Sequence, residues 1–394
     1  MDKMFLIDDV TLVLGIAMLV VSILMPFINL LVVRLKTDVR HDIEKEDEQE
    51  ELQAASALPG VSVVITVDDE GESLKANLPK WLSQAYNGNY QVIVVVSGND
   101  SLVDNILKQY RNDDRLYTTF IPSSSRYMSR KKLAITVGVK AAKYEWVLLS
   151  EVDCYPSSDS FVSSYAGKCA GDSDVVLGYT CFEDDFKAVR QFDSTYNLYR
   201  QLVKAQRGKA WGFSGSAIML RKKSFIDGKG FDGNLKYARG EYDFLANKYS
   251  AEGNTSVYCS LDEMVVRQSL SDKSWRNKVL NYMAIRKTLK GASSARMLFN
   301  VSMSSMIFCN LCVLSLLAFS LYSSRLALLP VAFVAFVISM VLRMVILSRS
   351  LRPFLNDMSW VKMWWFEQTL PFRNALRLIR YKRADKYDFI SHKV

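Results

Sequence analysis

YEWVLLSEVDCYPSS, residues 144–158, sets the apolar run Trp146, Val147, Leu148 and Leu149 directly before Glu151 and Asp153. A short, nearly continuous apolar run reads as a strand buried on both faces. Glu151 and Asp153 are two residues apart, so on a strand they project to the same side. Carboxylates at the end of a core strand are costly unless they are paired or coordinate a cation. The other reading makes both of them solvated turn residues ahead of Pro156, with Asp153 capping the next helix.

The same rhythm runs upstream. VSVVITV (61–67), YQVIVVVSG (90–98) and RLYTTFI (115–121) read as strands. Helical patterns at 73–84, 102–110 and 130–142 separate them, the first with Pro79 as an expected break. Alternating strands and helices with unbroken apolar strands predict a mostly parallel α/β sheet with helices on both faces. Ligands of such sheets bind beyond the carboxyl ends of the strands, where Glu151 and Asp153 stand.

The chain has 394 residues, 49% of them hydrophobic, and a mean hydropathy of +0.04. Its apolar residues are concentrated rather than spread. Residues 10–33, 297–324 and 326–347 each exceed the length of about 20 residues that spans a bilayer as a helix. The first lacks a basic leader and a small-residue cleavage site, so it reads as an uncleaved anchor kinked at Pro26 rather than a signal peptide. Arg34, Lys36 and Arg40 follow it, Arg276, Lys278, Arg286, Lys287, Lys290 and Arg296 precede the second, Arg349 and Arg352 follow the third, and the link between the second and third offers only Arg325. The positive-inside bias therefore predicts an extracytoplasmic N-terminus (1–9), a charged linker (34–58) and a cytoplasmic middle segment (59–270). A basic interfacial helix (271–296) and a cytoplasmic C-terminal tail (350–394) complete that layout, which describes a multi-pass protein of a bacterial inner (plasma) membrane.

The net charge of +9 needs no nucleic acid, because the basic excess lies beside the spans, where anionic headgroups attract it. Six cysteines without a pairing pattern read as free thiols, and Cys309 and Cys312, inside a span, as packing residues. His41 and His392 are the only histidines and both lie near charged flanks, which argues against His-based triads and His-ligated zinc.

The order of motifs resembles glycosyltransferase family 2, with its GT-A fold. The opening unit VSVVITVDDEGES…VVVSGNDS is similar to the family's nucleotide-binding half, and SRKKLAITVGVKAAKYEWVLLSEVDCYP to its Lys-containing helix and D-x-D strand. WGFSGSAIMLRKKSFIDGKGF resembles the acceptor-side segment, and RGEYDFLANKYS the helix start bearing the E/D-D motif. The resemblance covers about residues 59–270. It implies a membrane-anchored, metal-dependent enzyme of the cell envelope that moves a sugar from a nucleotide-sugar such as a UDP-sugar to a lipid-linked or membrane-proximal acceptor with inversion.

On that resemblance Asp153, with Glu151, ligates Mg²⁺ or Mn²⁺, and Lys131 or Lys132 meets phosphate. Glu241, with Asp243 two residues on, is the catalytic base, the alternative being acids that complement a helix dipole. Trp211, Ser214 and Gly215, beside Gly212, belong to the acceptor side, with Trp211 either stacking on sugar or packing in the core. The donor loops depart from the family's pattern. They offer Asp68, Asp69 and Glu70 where a P-x-x-N-E-like loop is usual after the first strand, and Asn99 or Asp100 where the second strand usually ends in paired aspartates, and Glu151 replaces the first Asp of D-x-D. The processive members' Q-x-x-R-W is absent, and Trp275 and Arg276 stand as an interfacial pair instead. These departures keep open a second class, a catalytically impaired GT-A-like membrane scaffold or partner-binding protein. The tail is interrupted by Asp357, Lys362 and Glu367, and with Trp360, Trp364, Trp365 and Phe366 ahead of Arg373, Arg377 and Arg380 it predicts a pair of interfacial helices rather than a fourth span.

Overall fold

The computed structural model describes residues 8–38, 58–121, 129–169, 173–183, 186–250, 254–355 and 357–390. Most of the charged linker, together with His41 and His392, lies outside them. The chain divides into two compact units, Met1–Arg34 with Ser293–Leu376, and Leu35–Ala292 with Arg377–Val394. Helix α1 (Asp9–Leu24) opens the first, its N-terminus capped by Asp8, which accepts the Thr11 N–H at 2.9 Å. The α-helix stops where Pro26 enters a 3₁₀ turn, Met25–Phe27, as a ring without an N–H requires.

The second unit is the α/β body. Its elements follow in order as β1 (Val61–Val67), α2 (Gly71–Leu82), β2 (Tyr90–Val96), α3 (Ser101–Gln109), β3 (Leu116–Phe120), α4 (Arg130–Ala141) and β4 (Trp146–Glu151). Then come β5 (Cys154–Pro156), α5 (Phe161–Ala166), β6 (Val175–Gly178), β7 (Thr180–Phe182), α6 (Ala188–Ala205), β8 (Ala217–Arg221) and α7 (Lys222–Asp227). Helix α8 (Glu241–Tyr249), β9 (Thr255–Tyr258), β10 (Val265–Arg267) and α9 (Asp272–Ile285) complete it. Pro79 does not break α2. It lies within the helix, which runs to Leu82.

The seven-stranded sheet has the order β3-β2-β1-β4-β8-β6-β9. Only β8 runs against the others, antiparallel to both β4 and β6. The GT-A-type α/β architecture expected from the sequence is therefore present, with β4 near its centre. Val61, Val63, Val92, Ile93, Leu148 and Leu149 are fully buried, which explains why these strands read as unbroken apolar runs. A smaller sheet, β5-β10-β7, is laid down just past the end of β4. It pairs β10 antiparallel to β5, with Arg267 opposite Cys154.

The first unit resumes with α10 (Ala292–Tyr322), α11 (Leu328–Leu351) and most of α12 (Trp360–Arg383), whose residues from Arg377 on belong to the second. Three helical segments, Asp9–Phe27, Ala292–Tyr322 and Leu328–Phe354, are long and apolar enough to cross a membrane. The tail forms one helix, α12, where a pair was expected. Its interrupting acid, Glu367, is fully buried and faces Arg343. Within the α/β unit, Arg377 in the last part of α12 pairs with Asp193, and beyond the helix Ala238 donates to the Phe389 carbonyl at 3.0 Å. The end of the described chain is thus tied to the loop that leads into α8.

Candidate active site

At the carboxyl end of β4, Glu151 and Asp153 do not face solvent as turn residues, and Asp153 caps no helix. Both turn onto one guanidinium. Arg267 Nη2 lies 2.5 Å from Glu151 Oε2 and 3.0 Å from Asp153 Oδ2, Nε reaches Asp153 Oδ2 at 3.1 Å, and Nη1 donates to Ser216 Oγ at 3.1 Å. The register of β10 on β5 makes this possible, because it sets Arg267 beside the chain that leaves Asp153. The link is reinforced by the Gln268 N–H, which donates to the Asp153 carbonyl at 2.8 Å.

Lys131, at the start of α4, meets the other oxygen of Glu151 at 3.1 Å. Burial would raise the Glu151 pKa, but Arg267, Lys131 and Lys278 together hold it well below the usual carboxylate range. Lys278, from α9, is pushed down to about 8 by burial and by Arg267, with the two carboxylates opposing the fall. Of the adjacent lysines, only Lys131 reaches the acidic pair. Lys132 points elsewhere: fully buried, it donates to the Asn234 carbonyl at 2.6 Å and to the Tyr237 carbonyl, and so braces the loop before α8. Two successive helix residues face about 100° apart, so only one of them can meet the strand end.

Gly240 turns the chain into α8 with φ +91, and a Cβ there would lie 2.2 Å from Ile285 Cδ1, so the helix can start here only with glycine. The first turn of α8 buries both candidate bases. Glu241 is 5% exposed and its Oε1 has no hydrogen-bond partner. Asp243 accepts the Phe213 N–H at 3.0 Å. Burial pushes the Asp243 carboxyl up to about 7, with Glu241 adding to the rise and the Phe213 N–H and Lys278 opposing it. Between them Tyr242 is buried, its hydroxyl also unpartnered, and Lys131 lies 5.5 Å from its ring centre.

The donor-side candidates stand where the parallel strands end. The Ser97 hydroxyl bonds to Asp68 Oδ1 and to the Val67 carbonyl at 3.0 Å each, and Glu70 accepts the Asp68 N–H at 2.9 Å. A Cβ on Gly98 would lie 2.3 Å from the Asp68 carbonyl oxygen, so only glycine lets the β1 and β2 loops approach this closely. Asp68, Asp69, Glu70 and Asn99 are exposed, whereas Asp100 caps α3 through the Leu102 N–H at 2.9 Å.

On the acceptor side, Ser214 is held by Gln201 Oε1, at 2.8 Å from its N–H and 2.7 Å from its hydroxyl. Gly212 lies close under Asp243, where a Cβ would be 2.9 Å from Oδ1, and the Phe213 ring occupies the space beside Gly215. Trp211 is 7% exposed, the packing arrangement rather than an open stacking platform. Trp275 packs edge-on against Phe186 with Arg190 over its ring, and Arg276 is exposed. Sequence reasoning missed Arg267, Ser216, Lys278 and Tyr242. The one available signal was Arg267 itself, a lone cation following the apolar Met264, Val265 and Val266.

Among the described residues no three His, Cys, Asp or Glu side chains gather into a metal cage. Even so, Glu151 and Asp153 suit a hard cation, since their oxygens already flank one point of positive charge, the Arg267 Nη2.

The fold has known counterparts. A mannosyltransferase from Pyrobaculum calidifontis, solved with GDP-Man and Mn²⁺, superposes with a TM-score of 0.50 at 14% identity, covering 82% of this chain and 97% of that one. GalNAc-T7 with UDP, GalNAc and Mn²⁺ gives 0.41 at 12% identity, over 58% of this chain and 49% of that one. S. aureus TarS gives 0.40 at 13% identity, over 59% and 40%. No curated protein matches the chain. The family model for glycosyl transferase family 21 matches residues 14–384, nearly the whole chain and every element of the site, so the family shown is 21 where the motifs had suggested family 2. The chain belongs to glycosyl transferase family 21, and it is a glycosyltransferase.

Proposed function

We propose that this glycosyltransferase is an integral membrane enzyme that transfers a sugar, with inversion, to a lipid-linked or membrane-proximal acceptor. The observation that carries the reading is the nearness of two acidic sets, Glu151 with Asp153 at the end of β4 and Glu241 with Asp243 at the start of α8. Lys131 links them, 3.1 Å from Glu151 and 5.5 Å from the ring centre of Tyr242, which stands between Glu241 and Asp243 in the chain. The first set takes the donor side, with Lys131 meeting phosphate and Asp68, Glu70 and Asn99 at the nucleotide's edge. Bound between Glu151 and Asp153, Mg²⁺ or Mn²⁺ would supply the positive charge that stabilises a departing diphosphate.

The second set takes the acceptor. Its hydroxyl proton passes to a carboxylate of α8 as the oxygen bonds to the anomeric carbon and the bond to the diphosphate breaks on the opposite face. Ser214 and the glycines beside it border the acceptor. The buried, charge-balanced site disfavours the scaffold alternative, since a chain without chemistry has no need of unpartnered buried groups such as Glu241 Oε1.

The test is hydrolysis of a nucleotide-sugar panel by the purified full chain with Mn²⁺. Asp153→Asn, which removes one charge-assisted contact, is expected to weaken donor affinity by about 10–100-fold with the fold retained. Unchanged affinity by calorimetric titration with UDP or GDP would refute the donor-side assignment.

We also place the protein in a bacterial inner membrane with the α/β unit cytoplasmic, on the positive-inside bias. In a background without the native cysteines, Ser323→Cys, in the link between α10 and α11, should react with an impermeant maleimide on intact cells. Reaction only after lysis would invert the topology.

A further inference from the structure

Arg267 is more than a neighbour of the acidic pair. It is 6% exposed, and all three of its guanidinium nitrogens are engaged, with Glu151, Asp153 and Ser216. A buried ion pair is stable only with such complete bonding. Lys131 takes the remaining oxygen of Glu151, and Lys278 adds a third cation to the field of the pair. Two carboxylates thus face three cations before any ligand arrives. A divalent ion approaching this centre alone meets like charge and must displace a bonded guanidinium. A nucleoside diphosphate reverses that balance, because its phosphates offer Arg267 and the lysines other anionic oxygens of the kind arginine's planar fork matches.

We propose that Arg267 is an internal stand-in cation that keeps the Glu151–Asp153 pair closed in the donor-free protein, and that the donor's diphosphate opens the pair by drawing the guanidinium away, so that divalent cation and donor bind cooperatively. The proposal rests on reading that pair as the donor-side cation site. It deepens that reading by making metal occupancy conditional on donor. By linkage, whatever factor the nucleotide adds to cation affinity, the cation adds to nucleotide affinity.

The probe is Mn²⁺ itself, followed by its free-ion paramagnetic resonance signal in titrations of the detergent-solubilised full chain, with and without saturating UDP or GDP. The wild type should bind Mn²⁺ weakly alone and about tenfold or more tightly with nucleotide, within the usual range of coupling. Arg267→Gln should bind Mn²⁺ alone about tenfold more tightly than wild type, and its gain from nucleotide should fall toward one. Ser216→Ala keeps the guanidinium but removes the bond to Nη1, and should shift both quantities in the same direction by less. It keeps the test decisive if Arg267→Gln, which removes the guanidinium from Asp153 and leaves Glu151 to Lys131, does not fold. Unchanged Mn²⁺ affinity in the folded variants overturns the proposal. Failure of the wild type to bind either nucleotide, with or without Mn²⁺, would instead overturn the donor-site reading, and the metal-only comparison would still decide the role of Arg267.

Discussion

Asp243→Asn is expected to lower sugar-transfer turnover by about 10²–10⁴, the usual worth of a general base, with nucleotide affinity near wild type. Of the two acids at the start of α8, Asp243 is the one that burial pushes up to about 7, where a base is strong enough to accept a proton yet ionised near neutral pH. Because the base must be deprotonated, the wild-type rate should rise with pH through about 7 and then level, and the variant should lack that limb.

Stability should move the other way. A carboxyl whose folded pKa is raised contributes stability that is fully present below its unfolded pKa and is lost as pH rises through about 7. Asparagine removes that loss while keeping an acceptor for the Phe213 N–H. At pH 8 the variant should therefore be more stable than wild type, by up to about 4 kcal/mol for a rise of roughly three units. Lower turnover combined with higher stability cannot come from damage to the fold. If Glu241→Gln instead carries the loss of turnover, and Asp243→Asn keeps both rate and pH limb, the base is Glu241.

The β4 end of the candidate site was legible in the sequence because its signals are local. Buried parallel strands need apolar residues at every position, so β1, β2 and β4 announced themselves, and Glu151 with Asp153 stood out as charges where β4 stopped. Arg267 was not legible as their partner. It lies more than a hundred residues on, in a three-residue strand whose pairing with β5 no local pattern encodes. The choice between Lys131 and Lys132 failed for a related reason. Both sit on one helical turn, and which of them faces the strand end depends on how α4 packs, with Gly138 letting it close onto Val64. Pro79 misled because the helix had only Lys80, Trp81 and Leu82 left to run, and Trp81 is buried with its indole N–H on the Cys154 carbonyl. Packing of that ring outweighs the missing backbone donor.

Glu367→Ala is expected to destabilise the unit formed by α1, α10, α11 and the start of α12 by about 3–5 kcal/mol, the cost of leaving one partner of a buried ion pair uncompensated. In sequence, Arg343 is the charge that interrupts the third span and Glu367 the acid that counts against a fourth. In the structure they meet, 2% and 0% exposed, with Arg343 Nη1 3.5 Å from Glu367 Oε2 and Asn29 Nδ2 donating to Oε1 at 2.7 Å. Three separate segments, the 3₁₀ region after α1, helix α11 and helix α12, are therefore joined through one carboxylate. Neutral polar contacts between helices in lipid average only about 0.6 kcal/mol, because the separated helices find other partners. A guanidinium already short of a partner at Nη2 has no such relief within the unit. The charge, not the hydrogen bonds, should thus set the size of the effect. The double variant Arg343→Met with Glu367→Leu removes both charges together and should recover most of the loss, since well-packed apolar replacements of buried pairs are often neutral or stabilising. Unfolding of the full chain in detergent, run as a double-mutant cycle, measures the coupling directly. A single Glu367→Ala variant within 1 kcal/mol of wild type, or a double variant no more stable than the single one, would mean that the pair does not join α12 to the spans.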